Sequence, residues 1–345
     1  MLKTCLGAIV AACLLFPPAL AADPYKRGAD YFPNLPVVNQ NGEKGLFYDD
    51  KIKGKTVVIS FIYTSCRDIC PLTTARMAQL EEKLGDAMGR DVFFYSMTVD
   101  PANDTPEKMK KFSEAFGTGP GWQFLTGTFD DIKTINAALG DTSKELYEHR
   151  NEIVIGNDAT GEWARNNLFG DLDRLVIDVK SMDPNFRIPI AAFSANSSVN
   201  VARALPDAPG QAMFKKICAP CHTVGVGDRV GPDLRGVTER RTSAWLTAFL
   251  KNPDEMRRKN DPVARELIDR FPTVRMPKMG LTDEDAADLI AFLKQKTADL
   301  KEAEADAAAN SHAHHGHHGA PDDTAHHEHH GHQAAPADER KHHKH

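Results

Sequence analysis

An excess of positive charge is missing from this sequence. Its 42 lysines and arginines are outnumbered by 48 aspartates and glutamates, for a net charge of -6 with histidine neutral. That balance gives no electrostatic reason to expect nucleic-acid binding. Long apolar runs are missing too. The one marked run, LGAIVAACLLF from residue 6, is too short to span a bilayer comfortably. Histidine is nearly absent from the body of the chain, because 13 of the 15 histidines follow residue 311 and only His149 and His222 precede them. Cysteine is scarce, and two of the six, Cys5 and Cys13, lie within the first 21 residues. What is present is length: 345 residues exceed one small core and imply two domains plus appendages.

The first 21 residues read as an export signal. Lys3 supplies a short basic region, the apolar run follows, and Ala19-Leu20-Ala21 is a small-x-small cleavage signature. The mature chain then starts at Ala22 and is periplasmic. A retained anchor facing the periplasm is the alternative, against which Pro17 and Pro18 argue; a lipoprotein signal ending at Cys13 is a minor one. Once the leader is removed, four cysteines remain in two local pairs, Cys66/Cys70 and Cys218/Cys221. In an oxidising compartment such pairs are disulfides, haem attachments or metal sites.

The chain between these landmarks divides cleanly. TVVISFIY (56–63) is a continuous apolar, β-branched run and predicts a buried central strand. A helix over 71–85 follows, with Met77, Leu80 and Leu84 at helical spacing and Gly85 to stop it. DVFFYSMTV (91–99) predicts a second strand and NEIVIG (151–156) a third, with helices over 104–117 and 129–140 between them. This alternation implies an α/β domain over 22–182. Residues 183–204 are a linker. From 205 to 297 no strand pattern appears. A helix from 209 up to the cysteines and helices over 242–253 and 281–296 predict an all-α domain, the last opened by a capping-box-like Thr282 and Asp285. ADLKEAEADAAAN extends that last helix. The remainder of 298–345 is rich in His, Gly, Ala, Pro and acids, nearly devoid of large apolar residues, and predicted to be disordered.

CAPCH (218–222) is the attachment signature of a c-type haem. Cys218 and Cys221 are spaced to add to the two vinyl groups of one porphyrin, and His222 is delivered to the iron as proximal ligand. With GPDLRGV (231–237) and the RMPKMG stretch from Arg275, residues 205–297 resemble class I cytochrome c. The resemblance implies that Pro232 supports His222 and that Met276 is the distal axial ligand, with Met279 as rival. Trp245 is expected in the core, with haem contact as the second expectation. The charged stretch 254–271 departs from the smallest family members and reads as a docking surface or a longer helix and loop.

Cys66 and Cys70 are four residues apart, so both thiols can face one point if Cys70 starts a helix. Three readings stand here: a structural disulfide, a thiol–disulfide redox pair, or a clamp for a soft cation such as Cu(I), which calls for a third ligand such as an imidazole. His149 is the one histidine outside the haem motif and the tail. With SFIYTSCRDICPLTTARM, TVDPANDTPEKMKKF and WQFLTG, residues 30–180 resemble the Sco/SenC family of copper-binding thioredoxin-fold proteins. The resemblance implies a copper site of Cys66, Cys70 and His149, with Asp100 as an acidic neighbour. Ser65 stands where many members have His, and the stretch after His149 departs from the family's compact turn.

The expected whole is a thioredoxin-like α/β domain, an all-α class I cytochrome c domain and a disordered His-rich tail. Its cofactors are one covalently attached haem c and one copper ion, with further Cu, Zn or Ni on the tail histidines. The resemblance implies copper delivery to the binuclear centre of cytochrome c oxidase or a related cuproenzyme, with the oxidase's copper-bearing subunit and a periplasmic electron donor or acceptor as partners. The competing functions are a thiol–disulfide oxidoreductase working through Cys66 and Cys70, and an electron-transfer cytochrome with a docking domain. Placing both sites on one chain makes one-electron exchange between them an expectation.

Overall fold

The structure is a computed structural model that describes residues 27–143, 145–148, 152–187 and 209–313. The export signal, His149, the centre of the linker and the tail beyond Ala313 lie outside the described residues.

Strand β3 (Thr56–Ile62) is buried at every position, as its uninterrupted apolar run predicts. Its alternate side chains feed two cores: Val58 and Ile62 on one face, Val57, Ile59 and Phe61 on the other. It is the fifth of seven strands in the order β2-β1-β5-β4-β3-β6-β7, with β1 at Pro36–Asn39, β2 at Lys44–Leu46, β4 at Val92–Thr98, β5 at Trp122–Thr126, β6 at Ile153–Asn157 and β7 at Glu162–Asn166. β3, β4 and β5 run parallel, while β6 pairs antiparallel with β3, which makes the sheet mixed. The register sets Ser60 beside Ser96, whose hydroxyls meet at 2.9 Å, and the Trp122 indole donates to Ser96 Oγ at 2.9 Å. Buried polar atoms inside the first core are thereby satisfied.

Helix α1 (Ile69–Leu84) follows β3, α2 (Pro106–Ala115) joins β4 to β5, α3 (Phe129–Ala138) follows β5, and α4 (Leu172–Lys180) closes this part. α2 starts as its sequence dictates, with Pro106 in the first turn and Thr105 Oγ1 accepting from Lys108 N. α1 begins two residues earlier than the apolar spacing indicates, so Cys70 sits in its first turn. The third predicted strand begins at Ile153 rather than at 151, and β7 and α4 take up the stretch in which the family turn was missing.

The second part is helical throughout its described residues. α5 (Pro209–Met213) runs into a wider π-helical turn, Phe214–Cys218, where the sequence predicts one helix up to the cysteines. Short helices α6 (Val237–Arg240), α7 (Ser243–Lys251), α8 (Pro253–Arg258) and α9 (Pro262–Arg270) follow, then α10 (Asp283–Ala313). Phe214, Leu289 and Leu293 form its small core. Thr282 and Asp285 form the expected reciprocal cap, Thr282 N donating to Asp285 Oδ2 at 2.9 Å and Asp285 N to Thr282 Oγ1 at 3.1 Å. α10 runs on to Ala313 because the Ala-, Glu- and Lys-rich stretch after 297 consists of strong helix formers.

Candidate functional site: two cysteine pairs

Cys66 lies in the loop after β3 and Cys70 in the first turn of α1. Cys66 is 7% exposed and Cys70 0%. Their thiols share a hydrogen bond, and the Cys70 thiol is pushed far above its ordinary value, first by that hydrogen bond, then by burial, then by the nearness of Cys66. The Tyr63 hydroxyl is also pushed up, first by burial and then by a hydrogen bond with Cys66. The low-pKa exchange thiol expected of an exposed pair at a helix N-terminus is therefore not what the fold builds. Two adjacent, shielded thiols that lose their protons to an incoming cation suit a soft metal better.

The carboxylate that secures this loop is Asp104. It is fully buried and accepts from Thr64 N at 3.0 Å, Thr64 Oγ1 at 2.6 Å and Thr98 Oγ1 at 2.5 Å. Burial holds its pKa above the usual carboxylate range despite those donors. Asp100, the acidic neighbour expected from the resemblance, instead accepts from Asn103 Nδ2 at 3.0 and 2.9 Å within its own turn. Sequence reasoning missed Asp104 and Tyr63. Nothing in residue type distinguishes Asp104 from Asp100; only the turn between β4 and α2 decides which one faces Thr64. Among the described residues no third side chain completes a set of metal ligands with the two thiols. His149, the expected third ligand, lies outside them.

Cys218, Cys221 and His222 close the π-helical turn, and His222 N donates to Cys218 O at 2.9 Å. His222 Nδ1 lies 2.8 Å from Pro232 O. A carbonyl only accepts, so Nδ1 carries the proton and Nε2 keeps a lone pair for a metal. Gly231 lies flat against the ring; a Cβ there would stand 2.6 Å from His222 Cε1. Burial pushes both thiols up to about 12. In front of them opens a cavity of about 660 Å³, lined by His222 on one side and Met276 and Met279 elsewhere on its wall. That volume falls within the range of about 300–1,000 Å³ typical of cofactor sites. Apolar walls, two thiols, an oriented imidazole and a thioether sulfur are the donor set a c-type haem needs, so the residues fit that group. Both methionines reach the cavity, so their rivalry stands.

Trp245 is half-buried, lines this cavity, stacks on Phe249 at 4.9 Å and donates Nε1–H to Asp261 Oδ2 at 3.0 Å, so it lies at the cavity wall rather than in the core. The charged stretch 254–271 folds as α8 and α9, and Arg257, Ala264 and Leu267 form cavity wall. Asp233 ties down the loop between His222 and α6 by accepting from Gly225 N, Gly227 N, Arg235 N and Thr223 Oγ1. Burial alone would raise its pKa, but these donors outweigh it and hold the carboxyl far below the usual range.

A thioredoxin-like sheet with a buried dithiol is followed by a helical module whose cavity is lined by Cys218, Cys221 and His222. The modules match known families. Residues 26–155 match the SCO1/SenC family model and residues 208–297 the cytochrome c family model. The chain thus joins a segment similar to the SCO1/SenC family to a segment similar to cytochrome c. The SCO1 protein homolog of Bacillus subtilis is 40% identical over 90 residues, which are 26% of this chain and 45% of that protein. BsSco, a member of the Sco family of cytochrome c oxidase assembly proteins, is 28% identical, with 48% of this chain and 98% of that one covered and a TM-score of 0.39. Copper-bound ScoI of Bradyrhizobium japonicum is 23% identical, with 44% and 99% covered and a TM-score of 0.36. The chain spans about half the length of the curated relatives it matches. No described helix is long and apolar enough to cross a membrane.

Proposed function

We propose that this protein binds one copper ion through Cys66, Cys70 and His149. It delivers that copper to the binuclear centre of cytochrome c oxidase or a related cuproenzyme in the periplasm. The observation that carries the reading is the pair of buried, adjacent thiols in the Sco/SenC-matched segment. In the second module Cys218 and Cys221 attach a haem c, with His222 and Met276 as axial ligands; the haem supplies a one-electron redox centre when bound. The protein's own contribution at the first site is positional. Asp104 holds the Thr64 backbone, so Cys66 is presented to Cys70 without rearrangement. Copper entry displaces the thiol protons, which makes affinity rise with pH. The tail histidines collect further metal and release it below about pH 6 as the imidazoles protonate.

The test is anaerobic Cu(I) loading of the reduced protein shortened after residue 310, beside its His149→Ala and Cys66→Ser variants. The reading predicts close to one tightly bound copper in the parent and loss of tight binding in both variants. Tight binding that survives Cys66→Ser would overturn it. Unaltered binding in His149→Ala would remove that ligand from the site, and the absence of tight copper in the parent would favour a thiol–disulfide role.

A further inference from the structure

The two cysteine pairs border one apolar interior. Pro71 and Leu72, the residues directly after Cys70, line the same cavity as Cys221, His222 and Met276. Cys66 and Cys70 share a buried cluster with Val230, and Cys221 and Val274 pack against it. Leu72 and Val230 are each only 7% exposed, so little water separates the sites along this route. Two charged contacts flank it. Arg229 Nη2 lies 3.0 Å from Glu82 on α1, joining the loop before Val230 to the cysteine-bearing helix. Arg275, next to Met276, has its pKa held down first by burial and then by the positive charge of Arg67, which sits between Cys66 and Cys70. The loop carrying one metal motif therefore faces the loop carrying the other.

We propose that copper held at Cys66 and Cys70 and the haem of the second module form an internal one-electron pair, with Leu72 and Val230 as the medium between them. This rests on the copper reading given above. Cu(II) at the thiolates gains one electron and becomes Cu(I), and haem iron passes from ferrous to ferric. No bond to the protein breaks and no proton moves. A dithiol–disulfide couple would need two electrons, whereas haem iron gives one, so copper is the acceptor that matches. Two thiolates also favour the softer Cu(I), which sets the direction of transfer. A one-electron donor then restores the ferrous haem.

The experiment uses the full chain with copper loaded at the cysteines, oxidised so that Cu(II) and ferric haem are both present. A flash-generated one-electron reductant is delivered in less than one equivalent. Absorbance is followed in the ferrous haem band and the Cu(II)–thiolate band. The expected result is that the ferrous haem band rises and then decays together with the Cu(II)–thiolate band, at a rate independent of protein concentration. Arg229→Glu, which sets two carboxylates against each other at the contact with Glu82, slows that decay severalfold. Ferrous haem persisting beside bound Cu(II), or a decay that scales with protein concentration, would overturn the inference while leaving the copper site intact. A missing Cu(II)–thiolate band before the flash would contradict the copper reading itself, and the internal pair with it.

Discussion

His222 owes its orientation to one carbonyl and one missing side chain. Pro232 O fixes its Nδ1 proton, and Gly231 leaves room for the ring. The following residue, Asp233, is the staple of the loop. Its folded-state pKa is depressed, so the folded protein binds fewer protons than the unfolded chain in acid. Its contribution to stability is therefore present above the unfolded value of about 3.9 and is lost as pH falls below it. Asp233→Asn should lower the denaturant midpoint of the cytochrome module at pH 7, and the gap from the parent should narrow progressively as pH falls from about 5 toward 2, closing only in stronger acid. A gap that stays constant across that range would contradict the assignment. At this scale the grouping of Cys218, Cys221 and His222 was legible, because the three lie within five residues of sequence and line one cavity in the fold. Tyr63 and Asp104 were not legible. Their roles follow from where a strand ends and a turn faces, and no local pattern encodes that.

Elements were legible where one period dominated. β3 announced itself because a strand buried on both faces has no polar positions. The start of α1 was harder to read. Cys70 and Pro71 belong to the helix, but a proline in the first turn looks like its beginning. The π-helical turn Phe214–Cys218 was also hidden, since its widening serves the cysteine pair and leaves the apolar pattern unchanged. Gly210 shows how the terminal helices of the cytochrome module meet. A Cβ there would stand 2.1 Å from Asp288 O and 3.1 Å from Phe292 Cβ, so α5 crosses α10 at backbone distance. Gly210→Ala forces that crossing apart, at a cost of about 1–3 kcal/mol typical of overpacking. Chemical denaturation followed through the haem absorbance should show it. A variant as stable as the parent would mean the crossing is looser than the packing indicates.

Over the whole chain, composition and two motifs suggested two modules, and the family matches fall at 26–155 and 208–297. What the sequence did not convey is that the modules share an interior. Val230 belongs to the loop after the haem motif by sequence but packs in the cluster of Cys66 and Cys70. Leu72 belongs to the thioredoxin-like module but lines the haem cavity. Such contacts join residues more than 140 positions apart and depend on three-dimensional packing alone. They bring the two cysteine pairs to one shared interior, where the proposed copper ligands are the first thing to measure. The direct measurement is copper X-ray absorption on the Cu(I)-loaded protein shortened after residue 310, where no tail histidine remains to compete. Two sulfur ligands and one nitrogen are predicted, from Cys66, Cys70 and His149. A shell of nitrogen and oxygen alone would contradict the account.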